Sequence, residues 1–244
     1  MSKMKIDPVE YRRGEIIFRG WLADDPARIT PRPGVLLVHE AWGLGDYVKQ
    51  RAERLAEMGY VAFAADMFGE GRQAASTEEG LGWTKALRAD VREMRARARL
   101  AFDVLAARPE VDSSRIAGIG YCFGGSSVLE LARSGAPVRG VVSFHGNLTT
   151  TDPARRGIVR AKVLSLSGDD DPFIPLEQVN GFIAEMKSAE VDYQVVLYGG
   201  ARHSFTNPRC GERGLNGLAY HRLADERSWT AMHAFFAEIF APAQ

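Results

Sequence analysis

The segment Gly118-Ile119-Gly120-Tyr121-Cys122-Phe123-Gly124-Gly125 constrains this chain more than any other. Ile116 to Gly120 reads as a buried strand of small and apolar residues, and a helical pattern through Leu131 follows Cys122 almost at once. A strand can give way to a helix over one residue only if that residue takes a strained backbone conformation and the two elements pass very close. Side chains two positions to either side must then be nearly absent, and Gly120 and Gly124 meet that demand. Such a turn thrusts the central side chain above the sheet and leaves the first helical N–H groups free to hold an anion. The spacing is that of a nucleophile elbow with cysteine in place of serine, and it predicts Cys122 as nucleophile and the Phe123 N–H as one oxyanion donor. The alternative is a buried structural cysteine in a glycine-rich turn; the strand before it and the helix after it weigh against that. Cys210, between Arg209 and Gly211 in a polar stretch, lacks this context and reads as incidental.

Around this turn the chain alternates short apolar runs with helical patterns, which predicts an α/β fold with a mostly parallel central sheet and helices on both faces. Strands are expected at Val35 to Val38, Val61 to Ala65, Val138 to Phe144, Val163 to Ser167 and Tyr193 to Tyr198, with Glu15 to Leu22 as an antiparallel edge strand or hairpin. Asp46 to Met58 carries Val48, Ala52, Leu55 and Ala56 at helical spacing before Gly59. Ser76-Thr77-Glu78-Glu79 has the form of a capping box and opens a helical region to about Ala107, with a break expected near Gly82. A helix is expected from Leu176 to Met186, and Ala224 to Phe240 closes the chain with Trp229, Met232, Phe235, Phe236, Ile239 and Phe240 on one stripe.

Composition excludes several classes of function. The 244 residues carry no Pro/Gly/Ser-rich linker, so residues 1–244 are expected to form one domain. The 31 basic and 31 acidic residues cancel, and the densest basic cluster, Lys85 to Arg99, reads as a solvated helix face; no nucleic-acid partner is expected. Met1 to Arg13 has no signal-peptide core and no apolar run is long enough to span a bilayer, which predicts a cytoplasmic protein without membrane attachment. Two cysteines make no disulfide framework, and the absence of zinc spacing, a phosphate loop or a dinucleotide fingerprint predicts no metal and no cofactor.

In a fold with such an elbow the chain order is nucleophile, acid, histidine. His203, just past the strand ending at Tyr198, meets that order; His39 precedes the elbow, and His221 and His233 lie in or near the terminal helix. His145 ends a strand, where open α/β sheets bind ligands, yet it precedes every plausible acid and is read as lining the pocket. The acid is one of Asp169, Asp170 and Asp171, and spacing alone does not choose among them. Glu40 ends the first buried strand, where a carboxylate has no packing value, and Ala41 after it is placed to give a second oxyanion N–H. Trp42, Phe144 and Phe173 also sit at strand ends and are candidates for the pocket lining.

These pieces together resemble the dienelactone hydrolase family from Val35 to Phe240, on Val38-His39-Glu40-Ala41-Trp42-Gly43-Leu44, the elbow segment, Gly168-Asp169-Asp170-Asp171-Pro172-Phe173-Ile174-Pro175 and Gly200-Ala201-Arg202-His203-Ser204-Phe205. The resemblance implies the α/β-hydrolase fold and hydrolysis of a small lactone or carboxylic ester through an acyl-cysteine. It selects Asp171, four residues before Pro175, as the acid, and it implies that Glu40 contacts the resting thiol and yields it as a thiolate when substrate arrives. Family members hold a substrate carboxylate with arginines, one of them four residues after the histidine, and here that position is Asn207. Arg72, Arg202 and Arg209 are the candidates to rebuild such a clamp. A broad carboxylesterase or thioesterase is the nearest alternative. A non-catalytic thiol sensor is a further one, although a sensor needs no aligned base and acid.

Overall fold

The computed structural model describes residues 4–241; the outermost three residues at each end, included in the expectations for Met1 to Arg13 and for a domain over 1–244, lie outside the described residues. In chain order the elements are β1 (Lys5–Arg13), β2 (Ile16–Asp24), β3 (Arg32–Val38), α1 (Asp46–Glu57), β4 (Val61–Ala65), α2 (Thr77–Ala89), α3 (Val91–Ala106) and β5 (Val111–Tyr121). They continue with α4 (Phe123–Arg133), β6 (Gly140–Phe144), β7 (Lys162–Gly168), α5 (Leu176–Ser188), β8 (Tyr193–Tyr198), a short 3-10 turn at Cys210–Arg213 and α6 (Arg222–Ile239).

The strands form one sheet in the order β1-β2-β4-β3-β5-β6-β7-β8. Strands β3 to β8 run parallel, while β2 is antiparallel to both β1 and β4. Continuous apolar runs such as Val35-Leu36-Leu37-Val38 are what a strand buried on both faces needs. Leu36 and Val38 pack with Met94, Phe102 and Val128, whereas Val35 and Leu37 pack with Ala52, Leu55, Met232 and Phe236. Helices therefore cover both faces, and the α6 stripe Trp229, Met232, Phe235, Phe236 and Ile239 is buried as its spacing predicts. Each such large side chain contributes about 1.5–3 kcal/mol by leaving water.

The sheet switches direction between β3 and β5, because the chain first adds β4 on one side and then crosses back to β5 on the other. Such a switch point opens a crevice at the strands' carboxyl ends. Glu40 and Ala41 leave β3 there, and Cys122 leaves β5 beside them.

Several boundaries differ from the sequence expectation. The Glu15 to Leu22 stretch is the inner member of a hairpin, paired along its length with β1, which forms the edge. The helical break falls at Asp90, not Gly82: Asp90 leaves helical geometry (φ −106°, ψ 79°) and its side chain accepts the Glu93 N–H, capping α3. Gly82 lies inside α2, since a single glycine there costs only about 1 kcal/mol. The Lys85 to Arg99 segment is not simply a solvated face either. Arg95 is turned inward to Glu130 (2.7 Å) and Asp152, and Arg97 donates to the Met67 carbonyl at 2.9 Å.

Candidate active site

Cys122 stands between β5 and α4 with φ 54° and ψ −114°, a conformation that L side chains rarely adopt. The flanking glycines leave no room for alternatives. A Cβ on Gly120 would meet the Gly124 carbonyl oxygen at 2.0 Å, and one on Gly124 would meet the Val38 oxygen at 2.1 Å. Strain of this kind persists only where neighbours over-determine it. Here the Cys122 N–H donates to the Phe144 carbonyl at 2.9 Å and to His145 Nδ1 at 3.1 Å. Phe123 opens α4, so its N–H has no intrahelical acceptor, while its ring is buried and stacks on Phe68 at 5.1 Å. Ala41 is buried in the loop after β3.

The loops after β7 and β8 bring an acid and a base to this turn. His203 Nδ1 lies 2.8 Å from Asp171 Oδ2, and the other Asp171 oxygen accepts the Phe173 N–H at 2.8 Å. With Nδ1 on the carboxylate, Nε2 is the nitrogen left to face Cys122. Burial opposes a charge on His203, but the Cys122 sulfur and the Asp171 carboxylate outweigh it and its pKa is pushed up to about 10. Of the three neighbouring aspartates only Asp171 is buried; Asp169 accepts the Gly200 N–H at 2.6 Å from an exposed position, and Asp170 is exposed. The Phe173 ring, 40% exposed, stands edge-on to His203 at 5.2 Å and so forms part of the site's wall.

Glu40 is buried, but the hydrogen bonds of its carboxylate are not to the thiol. Oε1 accepts from Ser204 Oγ at 2.8 Å and Oε2 from Asn207 Nδ2 at 2.6 Å. Burial raises the Glu40 pKa; the Ser204 and Asn207 bonds and the charges of His203 and Arg213 work against that rise. Asn207 is thus committed to Glu40, and sequence reasoning that compared it only with an arginine had no means to find this partner.

Two of the expected lining residues are instead structural. Phe144 is buried and stacks on Tyr121 at 4.8 Å, inside the core below the sheet's end. His145 is also fully buried, and both its nitrogens are taken: Nδ1 accepts from Cys122, and Nε2 lies 2.8 Å from Thr206 Oγ1. Burial, with the His203 charge beside it, holds its pKa well below the usual histidine value. Cys210 is buried at the start of the short 3-10 turn, and burial raises its pKa. His39, bonded to the Glu40 carbonyl and the Met67 N–H, is a satisfied core histidine, and His221 caps α6.

The three arginines do not assemble into a clamp. Arg72 is folded back onto the Phe68 and Gly69 carbonyls and over the Trp83 ring, Arg209 pairs with Glu212 at 2.9 Å, and Arg202 is exposed beside His203. A different arginine, missed in the sequence because it sits in a basic run, points inward: Arg88 of α2 donates to Asn147 Oδ1 (2.6 Å) and Thr149 Oγ1 (3.1 Å). Burial lowers its pKa, and the charges of Cys122 and Glu130 act in the opposite sense. A cleft of about 470 Å³ lies on the Glu40 side, lined by Glu40, Trp42, Asn207, Arg209 and Arg213 among others; Cys122 does not line it. Trp42 therefore lines this neighbouring cleft, with Arg213 over its ring at 5.0 Å.

Known proteins share this architecture. A solved dienelactone hydrolase-like promiscuous phosphotriesterase from metagenomic libraries is 41% identical and superposes with a TM-score of 0.93 over 98% of this chain and 99% of its own. A Saccharolobus solfataricus protein assigned by inference as a carboxymethylenebutenolidase is 25% identical over 244 residues, covering 86% of this chain and 91% of that protein. A solved α/β hydrolase from a Medee basin deep-sea metagenome is 14% identical with a TM-score of 0.70 over 98% and 99% of the two chains, a likeness of fold alone. The dienelactone hydrolase family itself matches residues 18–240, nearly the whole sheet with its helices. This chain has the α/β-hydrolase fold and is a hydrolase belonging to the dienelactone hydrolase family.

Proposed function

We propose that this hydrolase cleaves a small lactone or carboxylic ester through an acyl-cysteine formed on Cys122. One observation carries the reading: His203 Nδ1 lies 2.8 Å from Asp171 Oδ2, beside a cysteine that stands in the strained turn between β5 and α4 and whose sulfur helps to raise the pKa of the ring. A thiolate paired with an imidazolium is a nucleophile already deprived of its proton. Its sulfur attacks the carbonyl carbon, and the carbonyl electron pair moves to an oxygen held by the N–H groups of Phe123 and Ala41. Collapse breaks the acyl–oxygen bond, and the leaving alkoxide takes the proton from His203 Nε2. The now neutral imidazole removes a proton from water, the hydroxide attacks the thioester carbon, and the carbon–sulfur bond breaks to restore thiolate and imidazolium. Asp171 keeps Nδ1 protonated throughout and stabilises the charged ring.

Glu40 acts in this scheme through the loop that carries His203, since it holds Ser204 and Asn207. An anionic group on the substrate is proposed to meet Arg202, because Arg72, Arg88 and Arg209 already have partners. The cytoplasm is the proposed compartment; among the described residues no helix is long and apolar enough to cross a membrane.

A second reading, phosphotriester cleavage by the same thiolate, is favoured by the 41% identical promiscuous phosphotriesterase. Turnover of a lactone, p-nitrophenyl acetate, an acyl thioester and a diaryl-leaving phosphotriester by the purified protein separates the readings, with intact mass spectrometry of the quenched enzyme. An added acyl mass on wild type that is absent from Cys122→Ala, with turnover lost in Cys122→Ala and kept in Cys210→Ala, is the expected result. A folded Cys122→Ala protein that turns over as wild type does would remove the thiol from the mechanism.

A further inference from the structure

The buried histidine at the end of β6 has both nitrogens committed, and they are committed to two different loops of the site. Its Nδ1 accepts the Cys122 N–H at 3.1 Å, so that nitrogen is unprotonated and Nε2 carries the hydrogen. Nε2 donates to Thr206 Oγ1 at 2.8 Å, and Thr206 stands three residues after His203 on the loop that follows β8. Thr206 is itself pinned from behind: the Tyr47 hydroxyl donates to its Oγ1 at 2.7 Å, and Arg51 donates to its carbonyl at 2.7 Å while pairing with Asp225 of α6. The rings of His145 and His203 stand 5.2 Å apart, edge to face. Three of the non-glycine residues with positive φ meet here, Cys122 (54°), His145 (42°) and Ser204 (55°). Strained backbone on three separate loops, joined by one imidazole, needs a rigid link between them.

We propose that His145 is a positioning residue for the hydrolysis, a neutral strut that sets the distance and angle between Cys122 on one loop and His203 on another. The inference rests on the thiolate reading above. A proton transfer between sulfur, leaving group and imidazole depends on these two groups holding their separation, and a displacement near 1 Å costs about 10²-fold in rate. The strut touches neither reacting atom. Its effect is therefore on kcat, with little change in KM.

The two contacts can be broken one at a time. Asparagine places Oδ1 where the imidazole has Nδ1 and tolerates positive φ, so His145→Asn keeps the Cys122 contact and loses Thr206. Glutamine reaches as far as Nε2, so His145→Gln keeps Thr206 and loses Cys122. Thr206→Val removes the same link as His145→Asn from the other side together with the Tyr47 bond to Oγ1, leaves the carbonyl to Arg51 and Tyr47, and does not alter β6. Each variant is expected to lose roughly 10- to 100-fold in kcat with KM within about threefold of wild type. The double variant His145→Asn/Thr206→Val is expected to fall no further than the worse single one, because both break one link.

Circular dichroism and thermal melts establish that the proteins compared are folded; should the His145 variants not fold, Thr206→Val alone carries the test. Folded Thr206→Val with wild-type kcat, or losses that multiply in the double variant, would overturn the strut. Cys122→Ala is assayed alongside with p-nitrophenyl acetate. If it retains turnover, the thiolate reading has failed; if it is inactive while Thr206→Val is unimpaired, only the strut has.

Discussion

At the scale of single residues, the choice among Asp169, Asp170 and Asp171 rests on environment. All three follow β7, but only Asp171 is buried with one oxygen on His203 and the other on a backbone N–H. An amide there would present an N–H or a weaker acceptor to Nδ1 and disturb the tautomer, so Asp171→Asn is expected to lower kcat by about 10³-fold or more. Asp169→Asn and Asp170→Asn, at exposed positions, are expected to change it less than about threefold, within the range of surface substitutions. Steady-state hydrolysis of p-nitrophenyl acetate by the three proteins checks this, and equal losses would return the acid to the undecided state that spacing alone left. His203 offers a second measurement. Its raised pKa depends in part on the Cys122 sulfur, so the imidazole resonances of Cys122→Ala should titrate below the value of about 10 that holds in the intact site.

At the scale of elements, the β5–α4 junction and the start of α2 represent two strengths of local signal. The junction admits no Cβ at position 120, where the Gly124 oxygen would lie 2.0 Å away with only backbone to move. Gly120→Ala is expected to cost about 3 kcal/mol, the upper part of the usual range for overpacking, and to displace Cys122 as well. Ser76 caps α2 by accepting the Glu79 N–H at 3.1 Å, and the Glu79 carboxylate returns to the Ala75 N–H at 2.8 Å. Ser76→Ala is expected to cost only about 1 kcal/mol. Urea unfolding of both variants measures the contrast; a Gly120→Ala protein as stable as Ser76→Ala would mean that the helix can move away from the strand.

At the scale of the molecule, one buried ionic web ties the helices of one face together. Arg133 of α4 bonds Glu130 and, on α5, Glu185, while Glu130 also meets Arg95 of α3 at 2.7 Å. Removing one member of a buried pair leaves its partner uncompensated, so Arg133→Met is expected to destabilise the fold by about 3–5 kcal/mol. A chemical denaturation midpoint near that of wild type would contradict this. His203 links stability to pH. Its folded-state pKa of about 10 lies above the ordinary 6.5, so its contribution is fully present below pH 6.5 and is lost as pH rises through about 10. The stability gap between wild type and His203→Gln should narrow over that interval, as thermal melts at a series of pH values would record.

Local residue patterns are enough to specify most of the elements and the turn that carries Cys122. The continuous apolar run Val35 to Val38, the α6 stripe and the paired glycines each impose a local geometry that no distant contact has to supply. The same local logic erred at Gly82, because one glycine in a helix is a weaker signal than the cap at Asp90. Spacing left three aspartates open and the family resemblance chose Asp171, which is the one that meets His203; tertiary structure alone decided that Asn207 serves Glu40, that Arg88 turns inward from a basic run, and that His145 joins two loops. Those pairings connect residues from different strand ends or, for Arg88, a helix with a strand end, often far apart in the chain, and a hydrogen bond between such residues leaves no periodicity or spacing in the sequence to read. Only the sheet order, which sets the ends of β3, β5, β6, β7 and β8 along one edge, brings them within reach.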